Sequence, residues 1–586
     1  MRKQLYILLT ALAFIGCANR GIGPQGGPKD SIPPVPVRSF PENGAVSFTG
    51  NNIEVLFNEY IQLDNIAQNL LMSPPQQNPP DVKARGKRLM VHFVDSLRDS
   101  TTYTLDFGNA VCDFTEKNPL RGYTFAFSTG PVIDTLEILG SIINAEDLNP
   151  VMGVLAGIHS DQADSAFTST TFDRIARSDS AGVFRISNIH EGTYRLYALD
   201  DVSRDYRWNV GEGLAYAEES ITPSPNDTLA YILWYFCEQR QRLYLQRTLR
   251  DKQHVITLLF SSSPDSLPTW RALRPSEVDS AASDTAWVDP TPYILPQYYA
   301  HNDTIMLWLT DSLAIAQDTI LLEARYRRTD SIYQLEWYTD TLRAVWRAPR
   351  MTEKAKVAKA RQDRNRRLEL KSNAKQNFEI YDTISVTCTT PLAQITGDSI
   401  HLFLRVDTVQ KPLPFELIEN QMSFQVVAKL EPGQKYELCL DSAAMYDIYG
   451  VCNNKANFTA QLKKTEDYST LRIKLKPFVP QARIQLLNSK DQIVRELPAD
   501  EAGAFFQYLK PDTYYLRLYM DDNSDGKWTT GCWEEHRQPE PVYYYPEKIQ
   551  TKSNWDFEEE WDYQTVPQLQ SKPKELIKVS DGKKNK

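Results

Sequence analysis

Histidine and cysteine are scarce in this sequence, with 7 of each among 586 residues, and the shortage excludes whole classes of chemistry. His92, His159, His190, His254, His301, His401 and His536 never fall in HExxH or another close pair with metal-ligand spacing, which argues against a catalytic zinc site. There is no CxxC. Cys112, Cys237, Cys388, Cys439, Cys452 and Cys532 are too thinly spread for a disulfide framework. A single bridge among Cys388, Cys439 and Cys452 stays open beside the alternative of buried free thiols. A GxSxG nucleophile elbow and a phosphate-cradling GxxxxGK[ST] are also missing. Two distant carboxylates that meet in the fold are the remaining route to a hydrolase. After Ile15 no stretch is apolar for long enough to cross a membrane as a helix. Positive charge is in the minority: 65 Lys and Arg against 75 Asp and Glu leave a net charge of −10, which argues against nucleic acid as the main partner.

What is present begins at the N-terminus. Arg2 and Lys3 precede an apolar run from Leu5 to Ile15, and Phe14-Ile15-Gly16-Cys17 resembles a bacterial lipoprotein cleavage box. On that reading residues 1–16 are a signal peptide and Cys17 is the lipidated first residue of the mature chain. Residues 17–36 are rich in Gly and Pro and suit an extended tether. Short alternating runs then follow, such as Ile53 to Phe57, Arg88 to Phe93, Thr102 to Phe107 and Tyr123 to Phe127. β-Branched and aromatic residues at period two, broken by Gly, Pro, Asn and Asp, predict the strands of a β-sandwich.

Cys17, Gly26-Gly27-Pro28-Lys29-Asp30, Pro33-Pro34, Pro41-x-Asn43-Gly44, Phe57-Asn58-Glu59 and the stretch from Tyr103 to Asn118 carry a resemblance. Over about residues 17–130 the chain resembles the Ig-like-domain lipoproteins of Bacteroidetes, whose first module is a bacterial Ig-like domain of the S-layer (SbsA) type. The resemblance implies a β-sandwich and an envelope location, and it transfers no catalytic residue.

A second module is marked by Asp179-x-x-Gly182-x-Phe184 and Glu191-Gly192-Thr193-Tyr194, which resemble the transthyretin or carboxypeptidase-regulatory sandwich. Asp500-x-x-Gly503-x-Phe505 and Asp512-Thr513-Tyr514 repeat that order, and Thr193 to Gly211 aligns without a gap onto Thr513 to Gly531. Tyr436 through Asn453 echoes Tyr103 through Asn118 more faintly. Periods this long indicate duplicated modules, not a solenoid. The expected fold is therefore an all-β string: an Ig-like domain at 37–130, a transthyretin-like sandwich at 133–225, a β-rich middle domain at 238–348, a second Ig-like domain at 377–465 and a second transthyretin-like sandwich at 468–562. Residues 349–376, dense in Ala, Lys, Arg and Gln, are expected to be a basic linker, helical or disordered, and 563–586 a polar tail.

Candidate binding residues lie in the loops that the repeat aligns. Asp521, Asn523 and Asp525 with Gly526 match the first half of an oxygen-rich calcium loop. Asp201, Asp205 and Glu212, with Ser203 and Asn209, fit positions of the same pattern, but Tyr206 replaces the glycine. The competing reading is an Asp- and Asn-rich turn closed on its own backbone. Trp528 and Trp533, near Tyr543-Tyr544-Tyr545, Trp555 and Trp561, are candidate ligand-contact aromatics, weighed against a place in the core.

The expectation is a non-enzymatic envelope lipoprotein, held to the membrane through Cys17, that acts as a scaffold, spacer or adhesion and interaction protein toward envelope proteins or glycans. It needs no cofactor beyond the candidate calcium. The alternative is a surface glycan-binding lipoprotein of a nutrient-uptake system. Ala18-Asn19-Arg20-Gly21 lacks the acidic run that resembles a surface-export signal, so outer-membrane attachment with a periplasmic body is expected.

Overall fold

The computed structural model describes residues 30–225, 230–238, 242–279, 287–299, 301–330, 334–348, 352, 366–407 and 409–578. Cys17, the signal segment and most of the basic linker lie outside the described residues. Strands make up 46% of the structure and helix 6%, and the strands build separate sandwiches: the chain is a multi-domain all-β string. It divides into two compact units. One holds residues up to 144 with 150–235, and the other holds 145–149 with 236–578.

In the first unit, the opening module packs a four-stranded sheet against a three-stranded one. The larger runs in the order Pro36–Phe40, Asn52–Phe57, Arg88–His92, Asp81–Arg85. The smaller runs Leu71–Ser73, Thr102–Asp106, Thr124–Ser128. Alternation decides which side faces in: Ile53, Val55 and Phe57 are buried while their neighbours are not. Phe127 centres the core, with the rings of Phe48, Phe93 and Tyr103 at 4.9, 5.4 and 5.5 Å. Removing such a ring costs about 3–5 kcal/mol.

The following sandwich pairs Leu136–Asn144 antiparallel with Val183–Ile189 and parallel with Ala230–Tyr235. Its second sheet runs Arg174–Arg177, Leu155–His159, Arg195–Leu199, Leu214–Tyr216. The module thus continues past residue 225, because Leu233 of its last strand belongs to the core. Arg174, only 6% exposed, ties the two modules of this unit together: its Nη1 donates to the Ser73 carbonyl at 3.1 Å, while Ile175 N donates to Ser73 Oγ at 3.0 Å.

The second unit contains three sandwiches, each around its own buried cluster. The last repeats the topology just described, with Ser469–Lys476 parallel to Asp556–Asp562 and antiparallel to Ala504–Leu509. Tyr194 Oη donates to the carbonyl of His190, and Tyr514 Oη to that of Lys510, both at 2.9 Å. The first and fourth modules share their own signature, since Tyr103 Oη accepts from Arg98 N and Tyr436 Oη from Glu431 N. The copies differ at the motif phenylalanine. Phe184 is buried opposite Gly140, where a Cβ would stand 2.4 Å from its ring, whereas Phe505 lies opposite Arg472 and is half-buried beneath that guanidinium. In the second copy Ala504 and Phe506 face the core instead.

Two stretches depart from the sequence expectation. The end of the expected linker, Leu370–Ser372, is a strand on Ile384–Cys388, and Leu368 enters the core of the fourth module. Leu368 and Leu370 were too few apolar residues to reveal a strand in a basic context. The expected polar tail packs as well, as far as it is described: Tyr563, Ser571, Lys572 and Leu576 are buried. Lys572 Nζ reaches Asp491 at 2.9 Å, the Asp147 carbonyl at 2.6 Å and Asn149 Oδ1 at 2.9 Å. A lysine so partnered is buried at the lower cost of a hydrogen-bonded pair, which composition cannot foresee.

Glu379 forms a comparable clasp between the last two modules. Its carboxylate accepts from Lys463, Lys510 and the Tyr468 hydroxyl at 2.9, 2.8 and 2.6 Å. Burial pushes this carboxyl up, but those donors outweigh it and hold it down at about 2. A lowered folded value means that the stabilisation is complete above the ordinary glutamate range, near 4.5, and is lost as pH falls from there toward 2. Because Lys510 is half exposed and screened, the clasp is worth about 2 kcal/mol. Glu379→Gln is expected to lower the melting temperature at pH 7 and to flatten its dependence between pH 4.5 and 2. Thermal melts across that range check it, and an unchanged acid limb would contradict the assignment.

Candidate functional site

The aligned loops follow equivalent strands, Arg195–Leu199 in the first unit and Thr513–Met520 in the second. Asp201 accepts from the backbone N–H of Asp205 and Tyr206, at 3.1 and 3.2 Å. Asp521 accepts from Asp525 and Gly526, each at 3.0 Å. The backbone matches at two left-handed positions: Arg204 and Ser524 have φ of 63° and 59°, Tyr206 and Gly526 of 59° and 77°. Tyr206 therefore adopts the left-handed conformation that its glycine counterpart adopts without strain.

Each loop also closes on a glutamate. Glu212 accepts from Ser203 N at 2.8 Å and Asn209 N at 3.1 Å, while Glu540 accepts from Asp522 N at 3.0 Å and Thr529 N at 2.8 Å. The indole N–H of Trp208 donates to the Glu212 carbonyl, four residues on, and that of Trp528 to the Glu540 carbonyl, twelve residues on. Glu540 is therefore the counterpart of Glu212. Sequence reasoning missed it because an excursion containing the bridge between Cys532 and Arg537 separates it from the aligned stretch. The indole bond is the signal that pairs the two, and it is visible only in three dimensions.

Of the residues singled out as metal ligands, Asp201, Asp205 and Glu212 are brought into one loop. Their oxygens face N–H and O–H donors: Asp205 accepts from Ser203 Oγ at 2.9 Å, from Asn209 Nδ2 and from Arg207 N. Asn523 and Asp525 contact each other, and Asp525 N donates to Asn523 Oδ1 at 2.9 Å. Among the described residues, no three His, Cys, Asp or Glu side chains stand together as a metal-holding group. As described, the donor set makes a carboxylate-centred turn. Burial pushes the Asp201 carboxyl up, as it does that of Glu540. For Asp205 the hydrogen bonds of Asn209 and Ser203 outweigh burial and pull it down.

The candidate aromatics are engaged elsewhere. Trp533 is only 6% exposed, and its backbone N–H donates to the Glu238 carboxylate at 2.7 Å, so it is a packed residue and presents no platform. The excursion that carries it lies close to Phe236: a Cβ on Gly531 would meet that ring at 2.5 Å. Trp528 is half-buried and held by its indole bond. The described cysteines are free thiols.

Glu540→Ala removes the acceptor of two loop N–H groups and is expected to destabilise the last module by about 1–3 kcal/mol. Limited proteolysis should then cut near residues 522–529. Adding millimolar calcium to the unsubstituted protein should leave its melting temperature unchanged; a rise of several degrees would overturn the turn reading.

Residues 30–129 match the bacterial Ig-like domain family. No curated protein matches the sequence. The chain is similar to the N-terminal part of the bacterial S-layer protein SbsC at 12% identity and a TM-score of 0.16, over 29% of this chain and 44% of that one. It thus spans less than half of that structure. It is also similar to the Bacillus anthracis TIE protein at 10% identity and a TM-score of 0.14, over 92% of this chain and 76% of that one. The S-layer protein rSbsC(31-844) gives 10% identity and a TM-score of 0.14, over 83% and 66%. The opening module is a bacterial Ig-like domain.

Proposed function

We propose that this chain is a non-enzymatic cell-envelope lipoprotein, anchored through lipid on Cys17 in the outer membrane with its body in the periplasm, and that its sandwiches serve as a scaffold and interaction surface. The observation that carries the scaffold reading is the use made of buried charge. Arg174, Glu379 and Lys572 each bind groups of other segments or modules within their own unit, which fixes geometry and leaves none of the three facing a reacting atom. Envelope proteins are the partners this reading favours. The anchor rests on the Gly16-Cys17 box and the orientation on the neutral to basic Ala18 to Gly21.

Cys17→Ser is expected to release the protein from membranes, because no described helix is long and apolar enough to span one. A variant that still pellets with membranes after a high-salt wash would refute the anchor. Protease treatment of intact cells is expected to leave the body uncut. Its release, by cleavage within Gly- and Pro-rich residues 18–36, would reverse the orientation.

A further inference from the structure

We propose that the cleft between the two modules of the first unit binds an acidic saccharide. Two adjoining cavities of about 530 and 550 Å³ flank the contact made by Ser73 and Arg174, and both are lined by Arg98. Each lies within the size range of small-molecule sites, and the hydrogen-bonded seam holds their walls in place.

The charge pattern of the first cavity selects the ligand. Its carboxylates are already engaged: Asp95 accepts from Asn78 N and Nδ2 at 2.8 and 2.7 Å, and Asp205 is closed within its own loop. Its arginines are not. Arg98, Arg204 and Arg207 line the cavity, and their guanidinium groups make no hydrogen bond or ion pair among the described residues. In a chain of net charge −10, this cavity holds three guanidinium groups against two carboxylates and is net positive. Guanidinium forks pair bidentately with carboxylates and phosphates, and of the two the carboxylate occurs in sugars together with hydroxyl groups.

A second observation asks for hydroxyl groups. Gln76 Oε1 is buried in the wall of the same cavity with no hydrogen-bond partner, and an acceptor in that state requires a donor. Stacking on aromatic rings, the usual means of holding a neutral sugar, has little to work with, since Tyr103 is buried and Tyr206 half-buried. Binding must come from charge-assisted hydrogen bonds to a carboxylate, with a hydroxyl of the same ligand meeting Gln76. A sugar acid combines both groups. This inference goes beyond the scaffold reading and does not depend on the anchor.

Isothermal titration of the full chain in detergent with trigalacturonate, maltotriose and glucose 1-phosphate tests it. Trigalacturonate is expected to bind, more weakly in high salt, and to lose about tenfold in affinity in Arg98→Ala and in Arg204→Ala. Gln76→Leu should weaken it less, and Arg185→Ala, which alters an exposed arginine paired with Glu137, should not change it. Both tested arginines are exposed, so melting temperatures should hold and report folding independently. No binding of trigalacturonate, equal binding of maltotriose, tighter binding of the phosphate, or affinity unaffected by the arginine substitutions would each overturn the proposal.

Discussion

The arrangement depends on charges buried at the seams. A sandwich of about 100 residues buries its own apolar faces and leaves little to hold it against a neighbour, so orientation within each unit must come from directional bonds. Arg174 supplies them in the first unit by donating to a carbonyl of the opening module. Glu379 does the same in the second as an acceptor of three donors, while Lys572, ringed by a carboxylate, a carbonyl and an amide oxygen, ties the C-terminal segment and residues 145–149 to the last module. Desolvating an ion costs several kcal/mol unless every partner is in place, so each seam has one well-defined docked geometry. The benefit is specificity of arrangement more than net stability.

Strand positions were legible in the sequence because alternation and turn residues are local signals. The runs at Ile53, Arg88 and Thr102 became strands, whereas the repeated Gly182 and Gly503 turns, which the motif suggested as hairpins, carry the chain from one sheet of the sandwich to the other. What was not legible depends on partners far along the chain. Lys572 reads as tail until Asp491 is placed beside it, and Leu370 reads as linker until Cys388 pairs with it. The phase of Phe505 was hidden for the same reason: the motif repeats, but the facing residue is Arg472 where the first copy has Gly140, and the facing residue decides which side of the strand is buried.

The paired loops show the same division. Asp201 and Asp521 were correctly aligned because the intervening segments have equal length, and they make equivalent bonds to the backbone four and five residues on. Glu212 was singled out in the sequence, but its counterpart Glu540 was invisible because only its loop carries an excursion. Reading only the first half of a calcium pattern gave the residues that shape the turn. The acceptor that completes it is a carboxylate bonded to N–H groups of the loop.

Equivalent backbones with different outward side chains separate what the duplicated loop must do from what it is free to do. Both copies hold the same left-handed positions and the same indole-to-carbonyl bond, so the turn is set by folding. Arg204 stands where the second copy has Ser524, and Tyr206 where it has Gly526. A tyrosine kept in a conformation that costs it about 1 kcal/mol or more, beside an arginine with no partner, is not required by a turn that glycine and serine form equally well. Both residues line the cavity of the first unit. The difference between the copies therefore falls on the surface that a ligand would meet.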